Sequence, residues 1–499
     1  MYTTEIGLEN FKRFSDAKIN LSSNITLLLG PNSSGKSSVM KALLGLKQTA
    51  SPANEHEVFS AQGEYVDLGV YRDYVLDHDI GKKMKIGLKV FQELNPFGRA
   101  TPRSLHIVFC FGYDFATEQA RLFEILVHDT TDTKVPLLRL VKKKTRESFL
   151  LSMSEEFAKQ TVKDIFGSKN EEVHSKLVSA WTKGVSVIVG DRYQFTVEVK
   201  PKQTTDAKDA KDSKDFFVTF PITILSRLVE SVLRGLDRDF FYLGPLRRSP
   251  ARSYSRTAHL LSVGPSGEHT PSVLANLKSR AGKERSKVRP QSKRLDQLTN
   301  WVANIFPGCR IDAKTVEELV KLEIERDGGE REVISDVGFG FSQVLPILVQ
   351  AAVMPEETTL LIEQPELHLH PRAQTKLAEV IVEASNNGRR FLIETHSEHF
   401  VRGLQLAVSN KAAKKAAMHS RLGPNDVRFI YVPKFPQKPS EIALDEWGEF
   451  TSAWPTGFFD EGYVSALKLL QNKMVTEEKR GAENQKRMAS ANNAEDAVK

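Results

Sequence analysis

Cysteine is nearly missing from this chain. Only Cys110 and Cys309 occur among 499 residues, too few for a disulfide framework and without the spacing of a zinc site. Long apolar runs are missing as well, and no stretch approaches the ~18–20 residues that cross a bilayer. The opening Met1-Tyr2-Thr3-Thr4-Glu5-Ile6 lacks the charged start and apolar stretch of a signal peptide. These absences exclude a disulfide-stapled secreted scaffold and an inserted membrane protein, and the expectation is a cytoplasmic location. Hydrophobic residues at 40% and charged residues at 27% are those of an ordinary globular chain.

Charge is unevenly spread. The chain carries a formal +7, and one short run matches it. Lys278, Arg280, Lys283, Arg285, Lys287, Arg289, Lys293 and Arg294 stand against a single acid, Glu284. Such a run is either a solvated loop or a contact to a nucleic-acid backbone. No aromatic residue interleaves it to stack on bases.

The most informative stretch is Gly30-Pro31-Asn32-Ser33-Ser34-Gly35-Lys36-Ser37, continued by Ser38. The apolar Ile25–Leu29 before it reads as a buried strand, and the residues after it read as a helix. A strand feeding a glycine-cornered loop that opens a helix aims several backbone N–H groups at one point. Lys36 is then placed to reach terminal phosphates and the Ser37 hydroxyl to ligate Mg²⁺. This pattern predicts a nucleoside triphosphate site.

A second group of residues lies far downstream. Thr359–Glu363 is an apolar strand ending in a carboxylate, and Glu363 is expected to hold Mg²⁺ with Ser37. A helix from Pro371 to about Ala384 follows, with proline at its first turn and Asn386-Asn387-Gly388 past its end. The next strand, Arg390–Glu394, ends beside His396, which would lie near a terminal phosphate if the strands are neighbours. Upstream, Val337-Gly338-Phe339-Gly340-Phe341-Ser342-Gln343 is a second anion-receptive helix start, with Gly340, Ser342 and Gln343 as candidate nucleotide contacts. Two such starts suggest a dimer in which one closes over the partner's nucleotide.

Elsewhere, Ser104–Phe111 and Val185–Val189 read as strands, within a region of strands and polar connections from about 60 to 200. Pro221–Leu236 reads as a helix with its proline in the first turn, and Leu295–Phe306 as an amphipathic helix. Lys202–Asp215 is polar and of low complexity, and reads as a disordered insertion. Residues 475–499 read as a disordered tail.

The ordered set of motifs resembles an ATP-binding-cassette ATPase of the SMC/RecF branch, and within it the overcoming-lysogenisation-defect (OLD)-like AAA ATPases. The resemblance is carried by Asn10-Phe11-Lys12, the loop Gly30–Ser37, Val337–Gln343, Ile362–Pro371 and Glu394–His399. Tyr242–Pro250 and Trp454–Glu461 add to it. It implies an α/β P-loop NTPase with an ABC-ATPase-like head, an inserted α+β middle region and a small C-terminal extension. Its divisions would be 1–200 and 331–435 for the two halves of the head, and 201–330 for the insertion with the basic loop. An extension at 436–474 and the tail at 475–499 complete it.

The same resemblance implies ATP and Mg²⁺ as cofactors, a homodimer with composite sites, and a role in DNA repair or antiviral defence. It makes Gly338–Gln343 the signature that contacts a partner's γ-phosphate, with Ser342 at the helix cap. Glu363 matches the Walker B acid and His396 the switch histidine. The position after that acid, normally a water-polarising glutamate, is Gln364, which can orient water but not readily take its proton. Either Glu366 serves as the base or hydrolysis is slow. The motif also accounts for His368, His370, His396 and His399 without zinc. No Toprim acid set follows His396, so a nuclease-like effector would be a separate protein. The alternatives are a membrane transporter's ATPase subunit and a sensor that binds ATP without hydrolysing it.

Overall fold

The computed structural model describes residues 2–51, 57–92, 103–130, 134–144, 148–166, 171–189, 193–197, 211–258, 260–284, 290–413, 422–452 and 471. Met1–Thr451 is one compact unit. The second, Ser452–Lys499, falls almost wholly outside the described residues, and with it the Trp454–Glu461 motif and the expected tail.

The chain opens with β1 (Tyr2–Phe11), β2 (Phe14–Asn20) and β3 (Ile25–Leu29), and β3 leads into α1 (Lys36–Thr49). A short helix α2 (Tyr71–Tyr74) precedes β4 (Met84–Gln92), β5 (Arg103–Tyr113), β6 (Ala120–Asp129), β7 (Leu138–Lys142) and β8 (Phe149–Met153). Then come α3 (Glu155–Phe166), α4 (Glu171–Lys183), β9 (Val185–Val189), β10 (Phe195–Val197), α5 (Lys211–Asp239) and β11 (Phe240–Leu243). The middle contains β12 (Tyr254–Ser255), α6 (Thr270–Lys283), α7 (Pro290–Ile305), β13 (Cys309–Val316), β14 (Leu319–Arg326) and β15 (Arg331–Val333). The last stretch is α8 (Phe339–Val353), β16 (Thr359–Glu363), α9 (Pro371–Asn386), β17 (Arg390–Glu394), α10 (Glu398–Ala412), β18 (Val427–Tyr431) and β19 (Ser440–Ile442).

Two large sheets carry the unit. One is antiparallel, in the order β10-β9-β8-β7-β6-β5-β4-β1-β2; the other runs β11-β16-β17-β3-β18-β19. In the second sheet every pairing is parallel except β18 with β19. Its strands are short apolar runs because helices cover both faces; all five residues of β3 are buried. A continuous core joins the two sheets through α1 and α5, and includes Leu28, Leu361, Leu392 and Ile430 from the parallel sheet. A smaller sheet of β12, β14, β13 and β15 packs against α6 and α7.

Several expectations change. β11 lies inside 201–330, the stretch read as an insertion, yet it pairs with β16 in the parallel sheet. Positions 211–215, read as disordered, are the first turns of α5, while 202–210 lie outside the described residues. Pro221 consequently sits inside α5 rather than at its first turn. A proline there forfeits one backbone bond but leaves helix on either side. Helices α3 and α4 interrupt the region read as strands and connections; their first turns each hold two acids, suited to a helix N-terminus.

Candidate functional site

In an open parallel sheet, ligands collect in the crevice at the carboxyl ends of the strands. Gly30, Glu363 and Glu394 all occupy such ends. Gly30 has φ 141°, and a Cβ there would stand 2.2 Å from the Val432 carbonyl oxygen, so the loop passes too close to β18 for a side chain. Gly35 caps α1 at φ 103°, a left-handed conformation that frees the first N–H groups of the helix towards the loop.

The cavity at this loop is about 640 Å³, within the range of small-molecule sites. The loop residues Ser33–Ser38 line it together with Lys12, Arg13, Lys41, Glu394 and Phe435. Lys12 belongs to the Asn10-Phe11-Lys12 motif: Phe11 is fully buried, while Lys12 turns to the cavity. Burial, and then Lys41, push its ammonium below the usual range. Lys36 is 3% exposed, and its Nζ donates to the carbonyls of Gly30 and Pro31, both at 2.9 Å. Burial lowers its pKa, against the opposing pull of Glu394 and Glu366.

The acids are arranged by the strand order. β17 lies between β3 and β16, so its terminal Glu394 is the carboxylate beside the loop. Ser37 Oγ donates to Glu394 Oε2 at 2.6 Å, and Lys36 Nζ is 3.9 Å from Glu394 Oε1. Glu363 aligns with Glu394 in register and accepts a hydrogen bond from the Tyr242 hydroxyl at 2.8 Å. Its carboxyl is pushed up to about 6 by burial and then by Glu394, against the Tyr242 bond. Ser37 and Glu363, expected as a pair, are therefore not joined directly.

Tyr242 and Arg247 come from the Tyr242–Pro250 motif, and neither was expected as a site residue. Tyr242 closes in from β11, the neighbour of β16. Arg247 donates from Nη2 to the Glu363 carbonyl at 2.9 Å and from Nη1 to the Gln364 carbonyl at 3.1 Å. Burial pushes its pKa down to about 10, opposed by Glu366, Tyr242 and Glu363. The motif's chemistry was visible, but its role depended on the β11–β16 pairing.

Gln364 has φ 47° and donates from its backbone N–H to the Glu394 carbonyl at 2.8 Å. Glu366 Oε1 accepts from the His396 backbone N–H at 2.7 Å, and its buried Oε2 has no hydrogen-bond partner. Burial raises the Glu366 carboxyl, against the His396 N–H. Burial also lowers the His396 imidazole, with Lys36 as the next cause. The structure thus brings His396 and Glu366 to the loop lysine, as neighbouring strand ends allow.

The second helix start is elsewhere. Gly338, Phe339, Gly340 and Phe341 line a cavity of about 690 Å³ together with His368, His370 and Arg372. It shares no lining residue with the loop cavity. Gly338, not Ser342, is the N-cap of α8. Ser342 lies inside the helix and donates to the Phe339 carbonyl at 2.7 Å, so its hydroxyl serves the helix's own backbone. Gln343 is 2% exposed with Nε2 unpaired, and faces the interior rather than a ligand. Phe339 is instead 43% exposed.

The histidines have separate placements. His368 meets the Phe339 ring edge-on, His370 accepts from the Arg372 N–H as the cap of α9, and His399 lies in the first turn of α10. Among the described residues no histidine, cysteine or acidic group forms a metal-holding cluster, and no helix is long and apolar enough to cross a membrane.

The basic run is not a single loop. Lys278, Arg280 and Lys283 end α6, and Lys293 and Arg294 begin α7. Lys278 pairs with Asp312, and Arg294 donates to the Val353 carbonyl at 3.2 Å. Arg280, Lys283 and Lys293 are exposed, whereas Arg285, Lys287 and Arg289 lie outside the described residues.

Known proteins resemble this chain in part. Over 74 residues, 14% of the chain, it is 40% identical to a DNA replication and repair protein RecF from Roseiflexus castenholzii, and the match spans 18% of that relative's length. An SMC head solved in complex with the C-winged helix domain of ScpA aligns over 89% of this chain and 98% of its own. The identity is 10% and the TM-score 0.42. The SMC head domain from Thermotoga maritima aligns over 89% and 100%, at 9% identity and a TM-score of 0.31. A profile of the AAA ATPase domain matches residues 1–401, and the chain belongs to that family.

Proposed function

We propose that this chain binds ATP with Mg²⁺ at the strand-end site, pairs with a second copy when it does so, and resets by slow hydrolysis. The observation that carries this reading is the separation of the two helix starts into cavities without a common residue. Each start favours an anion. A nucleotide held by the first therefore meets a signature only if a second copy supplies it.

The residues present fit both cofactors. Gly30 and Gly35 hold the loop in left-handed conformations where a side chain would strike the Val432 carbonyl or Arg13, and Lys36 is desolvated and held by carbonyls and a distant carboxylate. The Ser37 hydroxyl with one carboxylate from the neighbouring strand ends, Glu394 or Glu363, makes a hard-oxygen donor set suited to Mg²⁺. When bound, the ion neutralises charge on the transferred phosphoryl group. Lys36 and the backbone N–H groups of Gly35–Ser38 bind and orient the triphosphate. His396 donates a hydrogen bond at its outer end, and Gln364 orients water without accepting its proton. Glu366, with an unpaired buried oxygen, is the group able to take that proton.

The resemblance to OLD-like ATPases and the partial match to RecF support a switch acting in DNA repair or antiviral defence through a separate effector. Within the basic run, the exposed Arg280, Lys283 and Lys293 are placed to face a phosphate backbone. Gln364 favours one second reading, a sensor that binds ATP without turnover.

Sedimentation tests the dimer. The wild-type protein should shift from monomer to dimer on addition of ATP and Mg²⁺, while Lys36→Ala and Phe339→Glu remain monomeric. Ser342→Arg is a poorer probe because Ser342 is buried. A wild-type monomer at saturating ATP, or full ATP affinity in Lys36→Ala, removes the reading. Glu366→Gln should keep ATP binding and slow turnover by about 100-fold; no measurable wild-type turnover leaves the sensor.

A further inference from the structure

We infer that Glu394, rather than Glu363, is the carboxylate that shares the divalent cation with Ser37. The inference rests on the nucleotide reading above and refines it. Its basis is the order of the parallel sheet. Neighbouring strands lie about 4.8 Å apart, so a residue closing β17 is one strand from the phosphate loop and a residue closing β16 is two. Glu394 and Glu363 are in register and end their strands at the same level, with Glu394 in front.

The partners of each acid differ accordingly. Glu394 is 5% exposed and meets the Ser37 hydroxyl at 2.6 Å and the Lys36 ammonium at 3.9 Å. Both belong to the phosphate loop, and both are committed once a nucleotide arrives: Lys36 turns to phosphate, and the Ser37 oxygen to the cation. A nearly buried carboxylate deprived of both partners is unfavourable, and the cation at Ser37 is the charge that restores its balance. Glu363 needs no such replacement. The Tyr242 hydroxyl donates to its carboxylate, and Arg247 anchors its carbonyl; neither donor comes from the loop.

The test is calorimetric titration of a slowly hydrolysed ATP analogue into the full chain, with Mg²⁺ and with EDTA. Wild type should bind more tightly with Mg²⁺. Glu394→Gln should lose about 10-fold or more of that gain, and bind at least as well as wild type in EDTA because a negative charge beside Lys36 is gone. Retained affinity in EDTA also shows that the variant is folded. Glu363→Gln should keep most of the gain. Mn²⁺ titration followed by electron paramagnetic resonance should give the same order without reference to turnover. A Mg²⁺ gain lost in Glu363→Gln and kept in Glu394→Gln overturns the inference, as does an equal loss in both. Lys36→Ala separates the two levels. Tight analogue binding by that variant removes the nucleotide reading itself, whereas abolished binding beside an unaffected Glu394→Gln removes only the role of Glu394.

Discussion

An imidazolium on a crowded sheet is disfavoured when its neighbours are cations, and His106 is in that position. On β5 it stands opposite Lys89 of β4 and His128 of β6, with its ring 6.0 Å from that of His128. Burial first, then His128 and Lys89, push its pKa down to about 4. The folded-state value lies below the unfolded one, so between about 6.5 and 4 the unfolded chain binds more protons. Stability is therefore complete above pH 6.5 and falls as the pH drops towards 4. Because the site is only half-buried, solvent screening reduces the loss to about 1 kcal/mol. Denaturant unfolding at pH 7.5 and 4.5 checks this: His106→Gln should lose less stability over that interval than the wild-type protein. Equal losses would assign the acid sensitivity to other groups. At the same scale, the phosphate loop was legible because its spacing is fixed by backbone approach, as the contact of Gly30 with Val432 illustrates. The burial of Ser342 and Gln343 was not legible, since a signature pattern does not say which of its side chains the helix turns inward.

Among the elements, the helix pair α6–α7 depends on the one acid in the basic run. Glu284 ends α6, and its carboxylate accepts from the backbone N–H groups of Gln291 at 3.1 Å and Ser292 at 3.0 Å. These are orphan donors of the first turn of α7, which begins with Pro290. Glu284→Ala should weaken that turn by about 1 kcal/mol, seen as faster amide hydrogen exchange at Gln291 and Ser292, with Glu284→Gln in between. Unchanged exchange would show that the cap carries no energy. The sequence displayed Glu284 only as a charge, because a cap spanning a connection depends on where both helices lie. Strands and helices with strong local signals, such as β3, α9 and β17, were readable from apolar periodicity and their terminal residues. Sheet order was not, and it decides the site: only the insertion of β17 between β3 and β16 brings Glu394 to Ser37 and moves Glu363 to Tyr242.

For the molecule as a whole, the proposed pairing of two cavities without a common lining residue makes a prediction that no single-chain enzyme would meet. Lys36 belongs to one cavity and Phe339 to the other. A Lys36→Ala chain keeps a working signature face, and a Phe339→Glu chain keeps a working phosphate loop. Neither variant alone can assemble an intact composite site. In a two-fold dimer of one chain of each kind, the loop of the second meets the signature of the first, so one site is whole and the other carries both lesions. Because neither variant pairs with itself, every dimer in an equal mixture is a mixed one with one whole site of two, and the mixture should recover up to about half of wild-type turnover. Sedimentation of the mixture should recover ATP-dependent dimers to match. If the mixture stays as inactive and monomeric as its components, the two cavities do not cooperate across chains; if either variant is active alone, its cavity is not part of the site. Recovery confined to the mixture requires that nucleotide and signature come from different copies.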